Sequence, residues 1–557
     1  MKKTPIILAF IVVITIIFTS CNRDEEKHRL ADVVIYGGTS AGVSAAIQTA
    51  RLGKSVILIE PSNRLGGLTT GGLGQTDIGN KQVIGGISRE FYQNIKKYYQ
   101  DDKNWVWQKK SEYKDGGQTR TEKNEDAMWT FEPSVALKVF HNMIEDLDIT
   151  IIYKQRLNRL TGVSKIDNTI KSITMESGET YYGKVFIDAT YEGDLLASSG
   201  VSYSIGRESN SEYGETLNGV QANYNSRTMT GALSINGQNH NFVKGVDPYN
   251  ISGDSSSGLL PGINSTIKKD GSGDKKIQAY CFRMCLTDHV ENKIPFAKPD
   301  DYNELTYELL FRNYEAGYNR IPWINSQMPN RKTDTNNMDG FSTDFIGQNY
   351  NYPEATYEER EEIIQKHLSY QQGLMWTLAN HERIPLKIRN EVSRWGTCKD
   401  EFDSEDGWQQ QLYIREARRM VSAVVMHQKH CEGIEVVPDV VGMAAYTMDS
   451  HNTQRYLNAE GFVSNEGNVE AHLTTPFPIS YRSVVPKKEE CTNLLVPVCL
   501  SSTHIAFGSI RMEPVFMVLG QSTAVIASLS IDKSEAVQDL SYDELRNELI
   551  NLGQILE

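Results

Sequence analysis

The chain has 557 residues, of which 39% are hydrophobic and 23% charged, with a formal net charge of -14. That length exceeds what one hydrophobic core serves, so two domains sharing a crevice are expected, and the acidic balance excludes nucleic acid and anionic membrane surfaces as partners. None of the seven cysteines (Cys21, Cys281, Cys285, Cys398, Cys431, Cys491 and Cys499) stands in a C-x-x-C pair, which removes sequence support for iron–sulfur clusters or structural zinc.

The first element is a targeting segment. Lys2 and Lys3 precede an apolar run over 6–18, and small residues stand just before Cys21. This resembles a bacterial lipobox, with residues 1–20 as signal peptide, Cys21 acylated and 21–30 as tether; an uncleaved anchor is the alternative. Both place the body outside the cytoplasm, on the periplasmic or cell-surface face of a bacterial envelope; in the lipobox reading it is held to the membrane only through lipid on Cys21. The absence of twin arginines points to export unfolded, with any cofactor acquired afterwards.

Residues 31–60 read as strand, glycine turn, helix, strand and terminal acid. The strand over 32–36 is apolar and β-branched, as a strand buried on both faces should be. Gly37, Gly38 and Gly42 permit a tight turn, close approach to a pyrophosphate and seating of the helix, whose N-terminus favours phosphate. Ala41, Ala45, Ala46 and Ala50 keep the helix close to the sheet. Glu60 ends the second strand where a ribose-binding carboxylate is expected. Thr39 stands where the fingerprint has its middle glycine, so its Cβ is expected to crowd the phosphate and shift the turn.

A second glycine cluster over 64–74, followed by Gly85 and Gly86, reads as backbone lying against a flat ligand. Short strands are expected over 150–190, the last of them over 185–190, with a helix following from about 191. Residues 205–275, rich in Gly, Ser and Asn, read as loop. Helical patterns are predicted to dominate 276–435, including 358–367 and 412–430, and Ser541 with Glu544 predicts a capping box opening a terminal helix.

Several of these segments carry a family resemblance: 37–42 with Glu60, 64–74, 187–194, 412–420, 449–455, and 502–514 running on to Gly520 and Gln521. Together they resemble the bacterial FAD-dependent oxidoreductases of the glutathione-reductase-like superfamily, in the branch that also holds the flavin-bearing part of heterodisulfide reductase. The resemblance implies an α/β fold, with a Rossmann-like FAD-binding domain and an inserted α+β substrate or cap domain. The expected boundaries are 31–204 and 441–532 for the FAD-binding domain, 205–440 for the cap and 533–557 for a C-terminal helix. It further implies that Gly37, Gly38, Ser40, Ala41, Gly42, Glu60, Arg64, Gly67, Ala189 and Thr190 hold FAD, with Gly520 and Gln521 at a helix N-terminus against the flavin pyrimidine edge. Export also favours FAD over a nicotinamide, because a soluble nicotinamide released outside the cytoplasm is lost.

A flavin dehydrogenase needs a base of near-neutral pKa, and His451 and His504 are the candidates. Asp449, Ser450 and His451 are consecutive and cannot converge as a triad, because neighbours on a strand alternate faces. Arg415, Arg418 and Arg419 share a face of the predicted helix and could clamp an anion or form ion pairs. Arg511 and Glu513 are candidates for orienting substrate or shaping the pocket. His427 and His430 share a helical face, but two ligands do not make a metal site, and no metal is expected. Cys281 and Cys285 read as buried thiols, and Trp105, Trp107 and Trp129 as packing residues or a sugar platform. The expected reaction is hydride transfer from a carbohydrate-type or other small polar alcohol to flavin N5, with an unidentified electron acceptor. The alternatives are reduction of an unsaturated substrate and a non-catalytic glycan-binding lipoprotein; sequence alone leaves covalent and non-covalent FAD open.

Overall fold

A computed structural model describes residues 29–117, 119–223 and 240–557. The expected signal peptide, Cys21 and most of the tether lie outside the described residues. Strand β1 (Leu30–Tyr36), helix α1 (Ser40–Arg51) and strand β2 (Val56–Glu60) form the expected βαβ unit, with Val33 opposite Val56 in a parallel ladder. Val33, Val34 and Ile35 are fully buried; each such side chain contributes roughly 1.5–3 kcal/mol by leaving water.

After α2 (Gly67–Thr70), α3 (Gly86–Gln100) and α4 (Pro133–Ile144) come strands β3 (Ile149–Tyr153), β4 (Val163–Ile166), β5 (Thr169–Thr174) and β6 (Thr180–Asp188). The sheet runs β3-β2-β1-β6-β5-β4. The first half of β6 pairs antiparallel with β5, and its second half takes a parallel strand from the far end of the sequence, β12 (Leu494–Leu495).

The middle of the chain departs from the predicted helices. Strands β7 (Met284–Thr287), β8 (Lys293–Ile294), β9 (Trp323–Met328), β10 (Lys332–Asn337) and β11 (Gly396–Cys398) make an antiparallel sheet in the order β8-β11-β7-β10-β9. The one long helix here is α5 (Tyr357–Asn380), which contains the predicted 358–367 segment. Residues 412–430 are not a helix. Tyr413 bridges Cys281, the pair Arg419–Met420 forms a short strand against Tyr203–Ser204, and only Gln428–Cys431 is helical. Backbone pairing with distant segments therefore overrides local propensity.

At the C-terminal end, α6 (His504–Ile510) leads into α7 (Glu513–Lys533), and α8 (Tyr542–Asn551) closes the chain. The predicted capping box is not formed, since the Ser541 side chain makes no cap hydrogen bond. Helix α7 is long and apolar enough to cross a membrane, but 89% of its apolar window is buried inside the protein, so it is a core helix. It crosses α1 closely: a Cβ on Gly520 would stand 2.2 Å from the Ala41 carbonyl oxygen.

Candidate active site

The glycine turn after β1 is held by sterics on every side. Gly37 has φ +103°, and a Cβ there would lie 2.7 Å from the Ala189 carbonyl carbon and the Thr190 nitrogen. A Cβ on Gly42 would fall 1.9 Å from the Gly37 carbonyl oxygen. Thr39 resolves its own crowding by local bonding: it caps α1, its hydroxyl accepting from the Gly42 amide at 3.3 Å and donating to the Ala189 carbonyl at 2.7 Å. The Glu60 carboxylate accepts from the amides of Gly38 at 2.6 Å and Ser62 at 2.7 Å, which fixes the loop. Burial nevertheless raises its pKa.

A slot of about 690 Å³ opens from this turn, lined by Gly37, Thr39, Glu60, Gly67 and Thr190 at one end and by Phe282, Leu412 and Ile414 along one wall. Thr190 is set by Asp188, a fully buried carboxyl that accepts from the Thr190 amide and hydroxyl and from the Leu196 amide; burial pushes its pKa up to about 6. Side chains at the turn would fill the space a diphosphate needs, and the glycines leave that space open against a helix start. The residues therefore fit FAD.

The other implied cofactor residues support the slot from behind. The Ser40 hydroxyl donates to Glu513 at 2.5 Å, joined there by the hydroxyls of Thr69 and Tyr191, both at 2.7 Å. Ala41 packs under Gly520, while Arg64 donates to the Thr70 carbonyl and stacks over Phe402. Gly520 and Gln521 lie well inside α7 rather than at its N-terminus, which is formed by Glu513 and Pro514. Gly520 serves the helix crossing, and the Gln521 carboxamide accepts from the Ile87 amide and donates to Gln48 and Leu552.

Phe282 and Leu412 face the slot, whereas their neighbours Arg283 and Tyr413 face a second cavity of about 880 Å³, as alternation along paired extended segments requires. That cavity is also lined by Asp77, Asn336, Asn337, Asp449, His451 and Glu470. His451 follows the strand Met448–Ser450, with Nδ1 at 2.8 Å from Asp344 Oδ2 and Nε2 at 3.4 Å from Asp449 Oδ2. The Arg415 guanidinium, 3.0 Å from Asp344, and His451 hold the Asp344 carboxyl down at about 2 against the cost of burial. Arg511 donates to the Tyr413 hydroxyl at 2.6 Å and to Asp449 at 2.7 Å, fixing two cavity walls from outside the lining.

His504 is placed differently. Its Nδ1 lies 2.8 Å from Glu416 and its Nε2 2.9 Å from the Ser450 hydroxyl, all three residues being 2% exposed or less. This Ser–His–Glu line borders neither the slot nor the cavity, so it is a packed structural network. The arginines predicted to share a face diverge: Arg415 to Asp344, Arg418 to Asp194 and Glu354, Arg419 to Glu208 and Glu416. Trp129 is core, packed at a tilt against Tyr92, while Trp105 packs on Tyr99 and Trp107 on His289.

His427 and His430 converge with Glu435, a partner the spacing did not reveal. The His427 amide donates to His430 Nδ1 at 3.2 Å, which leaves the proton on Nε2, facing Glu435. A ring in that tautomer donates a hydrogen bond to the carboxylate instead of ligating a metal. A second acidic group, Glu132, Asp400 and Glu401, surrounds the Lys332 ammonium, which already supplies the positive charge. Sequence reasoning does not reach Asp344, Arg283 or Asp77; Asp344 sits among small polar residues with no motif around it.

No curated protein matches the chain. Among solved structures it is similar to the Diels-Alderase PyrE3 of pyrroindomycin biosynthesis, at 12% identity over 32% of this chain and 36% of that one, with a TM-score of 0.22. It is also similar to THI4 of Thermovibrio ammonificans, at 13% identity over 37% of this chain and 79% of that one, with a TM-score of 0.24. A third is thioredoxin reductase of T. acidophilum, at 19% identity over 33% and 40%, with a TM-score of 0.17. The aligned part thus spans little more than a third of PyrE3's length. The model of one family, described as FAD dependent oxidoreductase, matches residues 32–549. With that match over nearly the whole described chain, the chain belongs to the FAD dependent oxidoreductase family.

Proposed function

We propose that the chain is a dehydrogenase acting on a small polar alcohol of carbohydrate type, with His451 as the base. The observation that carries this reading is the shared wall: Phe282 and Leu412 line the cofactor slot while Arg283 and Tyr413, beside them, line the cavity that holds His451. Bound FAD supplies the two-electron acceptor for the carbon-bound hydrogen. The Asp344 carboxylate accepts from Nδ1 at 2.8 Å, which makes Nε2, on the cavity side and 3.4 Å from Asp449 Oδ2, the nitrogen that takes the hydroxyl proton in this reading. Asp344 Oδ2 and Asp449 Oδ2 lie 2.8 and 3.4 Å from the two ring nitrogens, so a carboxylate stands beside each of them.

The cavity chemistry supports a neutral polyhydroxylated substrate. Its carboxylates Asp77, Asp449 and Glu470 face a lone lining arginine, Arg283, which is already held by both oxygens of Asp334. Hydroxyl groups donate to such carboxylates and accept from the amides of Asn336, Asn337 and Asn468. Residues 205–440 act in this reading as the cap that sets substrate choice, and the chain works outside the cytoplasm, tethered at Cys21, passing electrons to an acceptor yet to be identified.

The test is anaerobic: FAD-loaded enzyme is mixed with a panel of neutral sugars, sugar acids and simple alcohols, and flavin absorbance is followed. Bleaching by neutral sugars that disappears in His451→Gln supports the reading. Bleaching by no alcohol, with reoxidation of dithionite-reduced enzyme by an enoate, overturns it.

A further inference from the structure

We propose that Cys285 and Cys398 close a disulfide between β7 and β11 when the chain folds in contact with a disulfide oxidant. The antiparallel register pairs Thr287 with Gly396 and Leu286 with Thr397, so one step further along the ladder Cys285 stands opposite Cys398. Directly opposed residues of an antiparallel pair have Cα atoms about 4.5–5.5 Å apart, inside the roughly 4.4–6.8 Å that a disulfide spans. The two sulfurs are 3.8 Å apart, in van der Waals contact, and both residues are buried in a small cluster with Met328.

The remaining described cysteines are committed elsewhere. Cys281 lies against Arg415, Cys491 against Asn493, and Cys499 points at the carbonyls of Thr190 and Tyr191. Cys431 is buried at the end of the short Gln428–Cys431 helix. Once the sheet has closed, burial holds both Cys285 and Cys398 well toward the unreactive thiol. Exchange therefore belongs to folding, before the strands seal. One cysteine thiolate attacks the oxidant disulfide and releases a thiolate; the second cysteine then attacks the mixed disulfide and releases the other. With oxidised glutathione, two protein thiols and one glutathione disulfide become one protein disulfide and two glutathione thiols.

The bond would anchor the sheet behind the cavity. Strand β7 follows Arg283, and Arg283 binds Asp334 on β10, which in turn accepts from the amides of Gly74 and Gln75 in the second glycine cluster. The covalent link would therefore hold the cavity wall and the glycine cluster against the strand that ends at Cys398.

The full chain is reduced, unfolded and refolded with FAD in a glutathione redox buffer, or made in a host with an oxidising cytoplasm, and free thiols are alkylated after denaturation. The expected result is a peptide pair joining Cys285 to Cys398, lighter than its parts by two hydrogens and split by reductant. In addition, reductant should lower the unfolding midpoint of the oxidised protein and leave Cys285→Ala/Cys398→Ala unchanged. Alkylation of both cysteines, or linkage of either to another cysteine, overturns the proposal. Because the oxidant is supplied in the experiment, the result is independent of where the cell keeps the chain.

Discussion

At the scale of single residues, the two candidate histidines separate by what they touch. His451 borders the cavity and is held by Asp344, while His504 is enclosed by Glu416 and Ser450. His451→Gln and Asp344→Asn are expected to lower kcat by roughly 10²–10⁴, the usual contribution of a positioned base, with FAD content retained; stopped-flow flavin bleaching measures it. His504→Gln is expected to act on stability, because it removes one of the hydrogen-bond partners of buried Glu416, which keeps Arg419 and the Gln278 amide, at a cost of about 1–3 kcal/mol. A urea titration separates the two classes: a His504 variant that unfolds like the parent but loses turnover reverses the assignment.

At the scale of elements, helix α5 carries a buried histidine with a clear pH consequence. His367 is 1% exposed, and its Nδ1 donates to the Ile363 carbonyl. Desolvation lowers its pKa to about 4 from the ordinary histidine value of 6.5. The unfolded chain therefore binds a proton at His367 between those values while the folded one does not. Its contribution is fully present above about pH 6.5 and is lost as pH falls toward about 4, amounting to about 3 kcal/mol at 1.36 kcal/mol per pKa unit. Replacing His367 with Phe is expected to flatten stability across that window, read as urea midpoints at successive pH values. The glycine turn makes a second element-scale prediction. Gly42→Ala places a Cβ against the Gly37 carbonyl, so the strand–turn–helix unit must shift, and FAD retained through gel filtration should drop at least tenfold.

At the scale of the whole molecule, Glu513 ties distant segments together. Its carboxylate accepts from Ser40 in α1, Thr69 in α2 and Tyr191 after β6, linking three parts of the slot to the start of α7. Glu513→Ala leaves buried hydroxyls without their acceptor, at about 1–3 kcal/mol for each one unsatisfied. The FAD dissociation constant should rise about tenfold per 1.4 kcal/mol, measured by flavin fluorescence titration. An unchanged constant would show that α7 is held by apolar packing alone.

The dinucleotide unit is legible in the sequence because its constraints are local: apolar β-branched strands, glycines wherever a Cβ meets backbone, and an acid at the end of β2. Thr39 is visible there as a departure, although its consequence is not: a cap and a cross-strand hydrogen bond absorb its side chain. The middle of the chain reads as helical and is not, because 412–420 owes its extended form to Cys281 and to Tyr203–Ser204, partners far away in sequence. The place of Gly520 misleads for a similar reason, since a glycine that serves a helix crossing looks like one that serves a ligand.

What the sequence determined by itself is therefore the cofactor fold, whose rules act between near neighbours along the chain. The tertiary structure alone decided which polar groups share a cavity. It set Asp344 against His451 and Arg511 against Asp449, and it buried His504. Such pairings depend on which strands meet, and burial fixes both the charge and the accessibility of each group only after they have met.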